Sequence, residues 1–204
     1  MAIKPILFNT EMVRAILDER KSCTRRLVSS RQFLGMLPDK CKNAAPDEFL
    51  KGKRMMFKPY CDMTDAELIM TAYKAPYEPG NILYVRETWK KAPNGYYYYE
   101  DWQRNDIADV TKWKPSIYMP KDAARIWLKV TDVRVERLQE ITEVQAQAEG
   151  CNSGMLTGEC TARGQFEDLW NSTIKKPDLD RYGWSANPYV WIIEFERCEK
   201  PEGV

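Results

Sequence analysis

An alternating run over residues 125–137 sets the tightest limit on what this chain can fold into. Ile126, Leu128 and Val130 occupy every second position, and so do Val133 and Val135. A period of two is the pattern of a strand with one packed face. The phase changes at Thr131-Asp132, which predicts a bulge, the device that bends a strand at a barrel corner. Val190-Trp191-Ile192-Ile193-Glu194-Phe195 predicts a closing strand over 189–197. The turn Tyr77-Glu78-Pro79-Gly80-Asn81 carries Pro and Gly where turns use them, and a strand of strong β-formers follows over 82–89. Residues 3–8 predict a short strand, and residues 96–99 the second strand of a hairpin after Pro93-Asn94-Gly95.

Between these strands the helices are short. Asn9 or Thr10 can cap a helix whose Val13, Ile16 and Leu17 form one apolar stripe, ending near Glu19 or Arg20. Thr64 is placed to cap a short helix through Leu68. Ile141-Thr142-Glu143-Val144-Gln145 has the capping-box pattern, and Gly150 can end that helix. Phe166, Leu169 and Trp170 mark another, and residues 113–120 read as extended. Strands with short helices between them predict an α+β, barrel-like domain with flanking helices. The 204 residues fit one domain spanning 1–204. Residues 29–75 are irregular, with Pro38, Pro46, Pro59 and Gly52, and read as an insertion over one end of the barrel.

Composition narrows the function. The 31 basic and 30 acidic side chains leave a net charge of +1, without the basic excess of a dedicated duplex-DNA binder. Six cysteines without C-x-x-C spacing, and no secretory signal, read as free thiols of a cytoplasmic protein and give no metal site. No apolar run is long enough to span a membrane. Histidine is absent altogether. That removes Ser-His-Asp and Cys-His catalysis, so any base is Lys, Asp, Glu or Tyr.

Lys21, Thr24 and Glu87 are the residues through which chemistry can run. A Thr hydroxyl needs a base to act as a nucleophile. Lys21, three residues away in a polar corner between helix and strand, can reach it. Burial or the neighbouring cations Arg20, Arg25 and Arg26 would favour its neutral form. Glu87 shares a strand face with Leu83 and Val85, where a carboxylate is costly unless paired or used; otherwise it is a strand-end residue already in water. The same Lys-Thr corner also reads as a solvated helix end with a basic patch. Trp89, Trp113, Tyr118 and Trp191 are either base-stacking rings or barrel core, and Tyr189, at the entry to the last strand, is a rim candidate.

The segment Lys21-Ser22-Cys23-Thr24-Arg25-Arg26 resembles the K-x-x-T-x-R signature of ASCH domains, a branch of the PUA-like superfamily. Residues 79–89, Pro-Gly-Asn-Ile-Leu-Tyr-Val-Arg-Glu-Thr-Trp, resemble the second ASCH signature, a P-G-D-type turn and a strand ending in Glu. The phrases around Trp113–Pro120 and Asn187–Phe195 are similar to those of phage-encoded ASCH-type proteins. The resemblance spans nearly the whole chain outside 29–75. It implies a PUA-like mixed β-barrel with a cleft for RNA or a nucleotide. One branch of the family removes the acyl group from the exocyclic amine of N4-acetylcytidine without a metal or other cofactor. By motif, Thr24 would be the nucleophile, Lys21 its activator, and Glu87 would handle the proton or hold Lys21. Arg26 would bind substrate, with Trp89 and Tyr189 as further contacts. Two departures stand out. Asp18-Glu19-Arg20 occupies the place where the family has Gly before the motif Lys, and the chain is about twice as long as the known amidohydrolases.

Three functions follow as expectations: an amidohydrolase on N4-acylated cytidine or a related nucleoside, an RNA- or single-strand-binding or processing module, and a structural or host-interaction protein that keeps only the fold.

Overall fold

The computed structural model describes residues 2–29, 64–104, 112–152 and 161–203, together with Gln32, Pro46 and Leu50. Most of the expected 29–75 insertion therefore lies outside the described residues. In chain order the elements are β1 (Ile3–Leu7), α1 (Thr10–Leu17), β2 (Cys23–Leu27), α2 (Asp65–Ala72), β3 (Ile82–Arg86), β4 (Trp89–Ala92), β5 (Gly95–Tyr98), α3 (Tyr99–Arg104), β6 (Trp127–Arg137), α4 (Glu143–Ala148), α5 (Ala162–Thr173), α6 (Leu179–Tyr182) and β7 (Tyr189–Cys198).

Five strands form one mixed sheet in the order β1-β3-β6-β7-β2, and β4 and β5 form a separate hairpin. β1 runs parallel to β3 and the other pairs are antiparallel. β6 carries the expected irregularity between Val130 and Asp132. Because of that extra residue, Leu128 and Val130 before it and Val133 and Val135 after it pack in the same core cluster. This face of the sheet also buries Leu83, Val85, Trp191, Ile193 and Phe195 against α1 and α2. The opposite face buries Val190 and Ile192 under Ala146 of α4 and Phe166 and Trp170 of α5.

The architecture is a mixed α+β fold, and among the described residues the sheet does not close into the expected barrel: β1 and β2 are its two edges. What joins the edges is a side chain. Arg26 Nη2 on β2 donates to the Leu7 carbonyl at the end of β1, 3.1 Å away. The chain is too short of backbone partners there to continue the ladder, because β1 ends at Leu7 and turns into the helix capped by Asn9, whose side chain accepts from the Met12 amide at 2.8 Å.

Two other expectations shift. The strand over 82–89 stops at Arg86. The Glu87 amide turns to the Met119 sulfur, and Trp89 pairs instead with Lys114. The tyrosine run supplies β5 only as far as Tyr98, and Tyr99 opens α3. The capping boxes at Thr64 and Thr142 both form.

Candidate functional site

Helix α1 ends at Leu17, and Glu19 then adopts a left-handed conformation with φ of 59°. This turn reverses the chain, so that Arg20 and Lys21 both donate their amides to the Ala15 carbonyl. It also delivers Lys21 against the C-terminus of α4, where Lys21 and Glu149 form an isolated antiparallel bridge. Gly150 makes that approach possible. Its φ is +95°, and a Cβ there would come within 2.7 Å of Ala15 Cβ and 3.4 Å of Lys21 Cβ.

Lys21 Nζ donates to the Glu149 carbonyl at 2.9 Å and to Glu149 Oε2 at 2.7 Å. Arg25 Nη1 donates to the other oxygen, Oε1, at 3.2 Å. All three side chains are at most 2% exposed. One carboxylate thus serves two buried cations. Burial of the ions costs several kcal/mol each and is offset only by such close pairing. Arg25 Nη2 is held by Gln145 Oε1 at 3.2 Å, and its guanidinium lies 5.7 Å from the Phe166 ring.

Thr24 and Arg26 alternate onto the other face of β2 from Arg25. Thr24 is 1% exposed, and its Oγ1 accepts from Arg26 Nη1 at 2.9 Å. Among the described residues the threonine proton is donated to no partner. Arg26 also donates to the Arg25 carbonyl. Its three acceptors are all neutral. The Phe8 ring faces both Lys21 Nζ, at 5.6 Å, and Arg26, at 5.4 Å, so the lysine and the Thr24–Arg26 pair share one corner. Desolvation holds the Arg26 guanidinium below its ordinary value, and the Glu149 charge acts the other way.

A cleft of about 610 Å³ opens along this edge of the sheet. Its lining includes Thr24, Arg25, Arg26 and Glu149 together with apolar side chains of α1 and α5, among them Met12, Phe166 and Trp170. Its volume lies within the range of small-molecule sites, which are mostly apolar with a few convergent polar groups.

Glu87 goes elsewhere. It is buried, and both of its oxygens are taken by Arg125, from Nε at 2.9 Å and from Nη2 at 3.0 Å. Arg125 also grips both oxygens of Asp101 at 2.7 Å and lies 4.1 Å from the centre of the Tyr98 ring. Burial raises the Glu87 carboxyl above its ordinary range; the Arg125 hydrogen bonds and charge act against this, and Asp101 and Glu100 add to it. The expected carboxylate–Lys21 contact is therefore made by Glu149. Glu87 leaves the end of β3 toward the β5–α3 junction, whereas the α1 turn aims Lys21 at α4.

The two aromatic substrate candidates also land outside the cleft. Trp89 packs with Met119, Ala123 and Trp127 in a separate cluster. Tyr189 is buried against α2, its hydroxyl 3.2 Å from Asp65 Oδ2 and its ring 3.7 Å beneath the Arg137 guanidinium. Trp191 is core as well, while Tyr118 is exposed. Both placements have one cause: these rings lie where the sheet is covered by helices or by the 112–124 segment. The residues missed in the sequence are Glu149 and the α5 wall. The only local sign of Glu149 was its place next to Gly150 at a helix end.

No family model matches this chain, and no curated protein matches it. Among solved structures it is similar to the crystal structure of an ASCH domain from Lactobacillus crispatus JV V101, at 10% identity and a TM-score of 0.42, over 96% of this chain and 79% of that one.

Among the described residues no helix is long and apolar enough to cross a membrane, and no three His, Cys, Asp or Glu side chains cluster as a metal site.

Proposed function

We propose that the cleft along β2 is the active site of an amidohydrolase that removes an acyl group from the exocyclic amine of a cytidine-type nucleoside, with Thr24 as nucleophile. The observation that carries the reading is the placement of Thr24 in the lining of this cleft with Arg25, Arg26 and Glu149, its Oγ1 bonded to Arg26, while Lys21 is tied to the same Glu149 from outside the lining. That balance leaves the cleft electropositive. An electropositive, water-poor wall favours an acyl-transfer reaction, whose tetrahedral intermediate carries negative charge.

In this mechanism Thr24 Oγ1 attacks the acyl carbon and its proton passes to the Lys21 amine. The C–O bond forms as the carbonyl oxygen becomes an oxyanion facing the Arg26 guanidinium. The C–N bond then breaks, and the leaving exocyclic nitrogen takes the proton from Lys21. Water hydrolyses the resulting threonyl ester and regenerates the hydroxyl. The apolar α5 wall suits an acyl group and one face of a base. Glu87 is proposed to act indirectly, by fixing Arg125 beside the end of β3.

The test is release of cytidine from N4-acetylcytidine, followed by chromatography. Thr24→Val and Lys21→Met should each lower the rate by about 10²-fold or more, as for loss of a nucleophile or its proton acceptor. An inactive wild type, or a Lys21→Met variant as fast as wild type, refutes the reading. Tight, salt-sensitive binding of single-stranded RNA without turnover would favour the RNA-binding reading instead.

A further inference from the structure

We propose that Glu149 is the positioning residue of this site: it holds the Lys21 side chain in place by accepting two hydrogen bonds from its amine. The inference rests on the amidohydrolase reading for its consequence in turnover, but the hold itself stands on geometry alone.

Three features of the fold converge on Glu149. It is the C-cap of α4, with its amide bonded back into the last turn, so its backbone is fixed. Lys21 bonds both its carbonyl and its carboxylate, at 2.9 and 2.7 Å. A lysine at a helix C-terminus also meets the negative end of the helix dipole. Finally, Gly150 lets α1 and Lys21 approach closer than any side chain at 150 would permit. The ammonium is thereby aimed by two acceptors on one residue. A lysine on four rotatable bonds otherwise loses considerable entropy when held.

One carboxylate is shared between two cations. Lys21 and Arg25 are both buried against Glu149, so removing its charge leaves neither cation with an anionic partner there.

The experiment combines side-chain NMR with kinetics on the full chain. Lys21 Nζ is observed through its ¹⁵N-attached protons and assigned by its loss in Lys21→Met. In the wild type an ammonium held this way should be protected from exchange with water and visible. Glu149→Gln should abolish that protection. With N4-acetylcytidine it should also lower kcat by at least about 10-fold, with KM changed less than about 3-fold, as expected when a reacting group is mis-set and ground-state binding is kept. Glu149→Asp keeps the charge and should retain more of kcat than Glu149→Gln.

A protected Lys21 signal that survives Glu149→Gln overturns the proposal, and so does an unchanged kcat. If Glu149→Gln fails to fold, the wild-type spectrum still decides, since an unprotected Lys21 ammonium refutes the hold. An inactive wild type with a protected Lys21 signal lost in Glu149→Gln would sink the amidohydrolase reading and leave the hold established.

Discussion

At the residue scale, Glu87 shows how a buried carboxylate is kept. Burial pushes its carboxyl above the ordinary 4.5, while Arg125 pulls it back. Raised in the folded state, the group binds its proton more tightly there than in the unfolded chain. Its contribution to stability is therefore fully present below pH about 4.5 and is lost as pH rises through the folded value. Glu87→Gln has no such titration. The stability of Glu87→Gln relative to wild type should accordingly improve as pH rises from 4.5 toward neutrality, whatever constant offset the lost Arg125 pairing adds. Urea unfolding of both proteins across that range measures it, and a difference independent of pH contradicts it. The Cys23 thiol is the opposite case of an inert group: burial pushes it up to about 12, with Glu149 adding to the shift, so it is a packing residue of the β2–α4 contact rather than a rival nucleophile.

At the element scale, the contact of α4 with the α1–β2 turn decides the site. Gly150 bears the close approach, and its φ of +95° is one that L side chains rarely adopt. Gly150→Ala combines a positive-φ cost of roughly 1–2 kcal/mol with overpacking against Ala15 of about 1–3 kcal/mol. A loss of about 2–4 kcal/mol is expected in urea unfolding, together with weaker protection of the Lys21 ammonium. A neutral Gly150→Ala would mean that α4 can retreat without cost. Glu19 likewise takes a left-handed conformation, with φ of 59°, and does so with a Cβ.

At the scale of the whole molecule, one guanidinium ties the two edges of the sheet: Arg26 on β2 donates to the Leu7 carbonyl at the end of β1. Arg26 joins Thr24, the Arg25 carbonyl and the Leu7 carbonyl at 2.9, 3.1 and 3.1 Å. Arg26→Met keeps much of the apolar stem and removes all three bonds. It should cost about 1–3 kcal/mol and speed amide exchange at residues 3–7 and 23–27 more than in the β6–β7 pair. Equal exchange throughout would show that the edges are held together by something other than Arg26.

Period, caps and breakers were legible because each is a short-range property. The alternation on either side of Thr131-Asp132, the Thr64 and Thr142 caps and the turn at Gly80 depend on neighbours a few residues away. So does the Lys21-to-Thr24 spacing, which places the two at one corner. The partner of Lys21 was not legible, because Glu149 stands 128 positions away and meets it only after α4 folds over β2. The same holds for Trp89 and Tyr189: an aromatic at a strand end looks alike in sequence whether a helix covers it or a cleft opens beside it. Sequence by itself determined which segments are strands and helices and which residue types the chemistry can use. Only the tertiary structure decided which carboxylate faces which cation, and left the sheet open with its cleft at the β2 edge. Ion pairing and closure depend on distances between segments remote in the chain, and no local pattern encodes those distances.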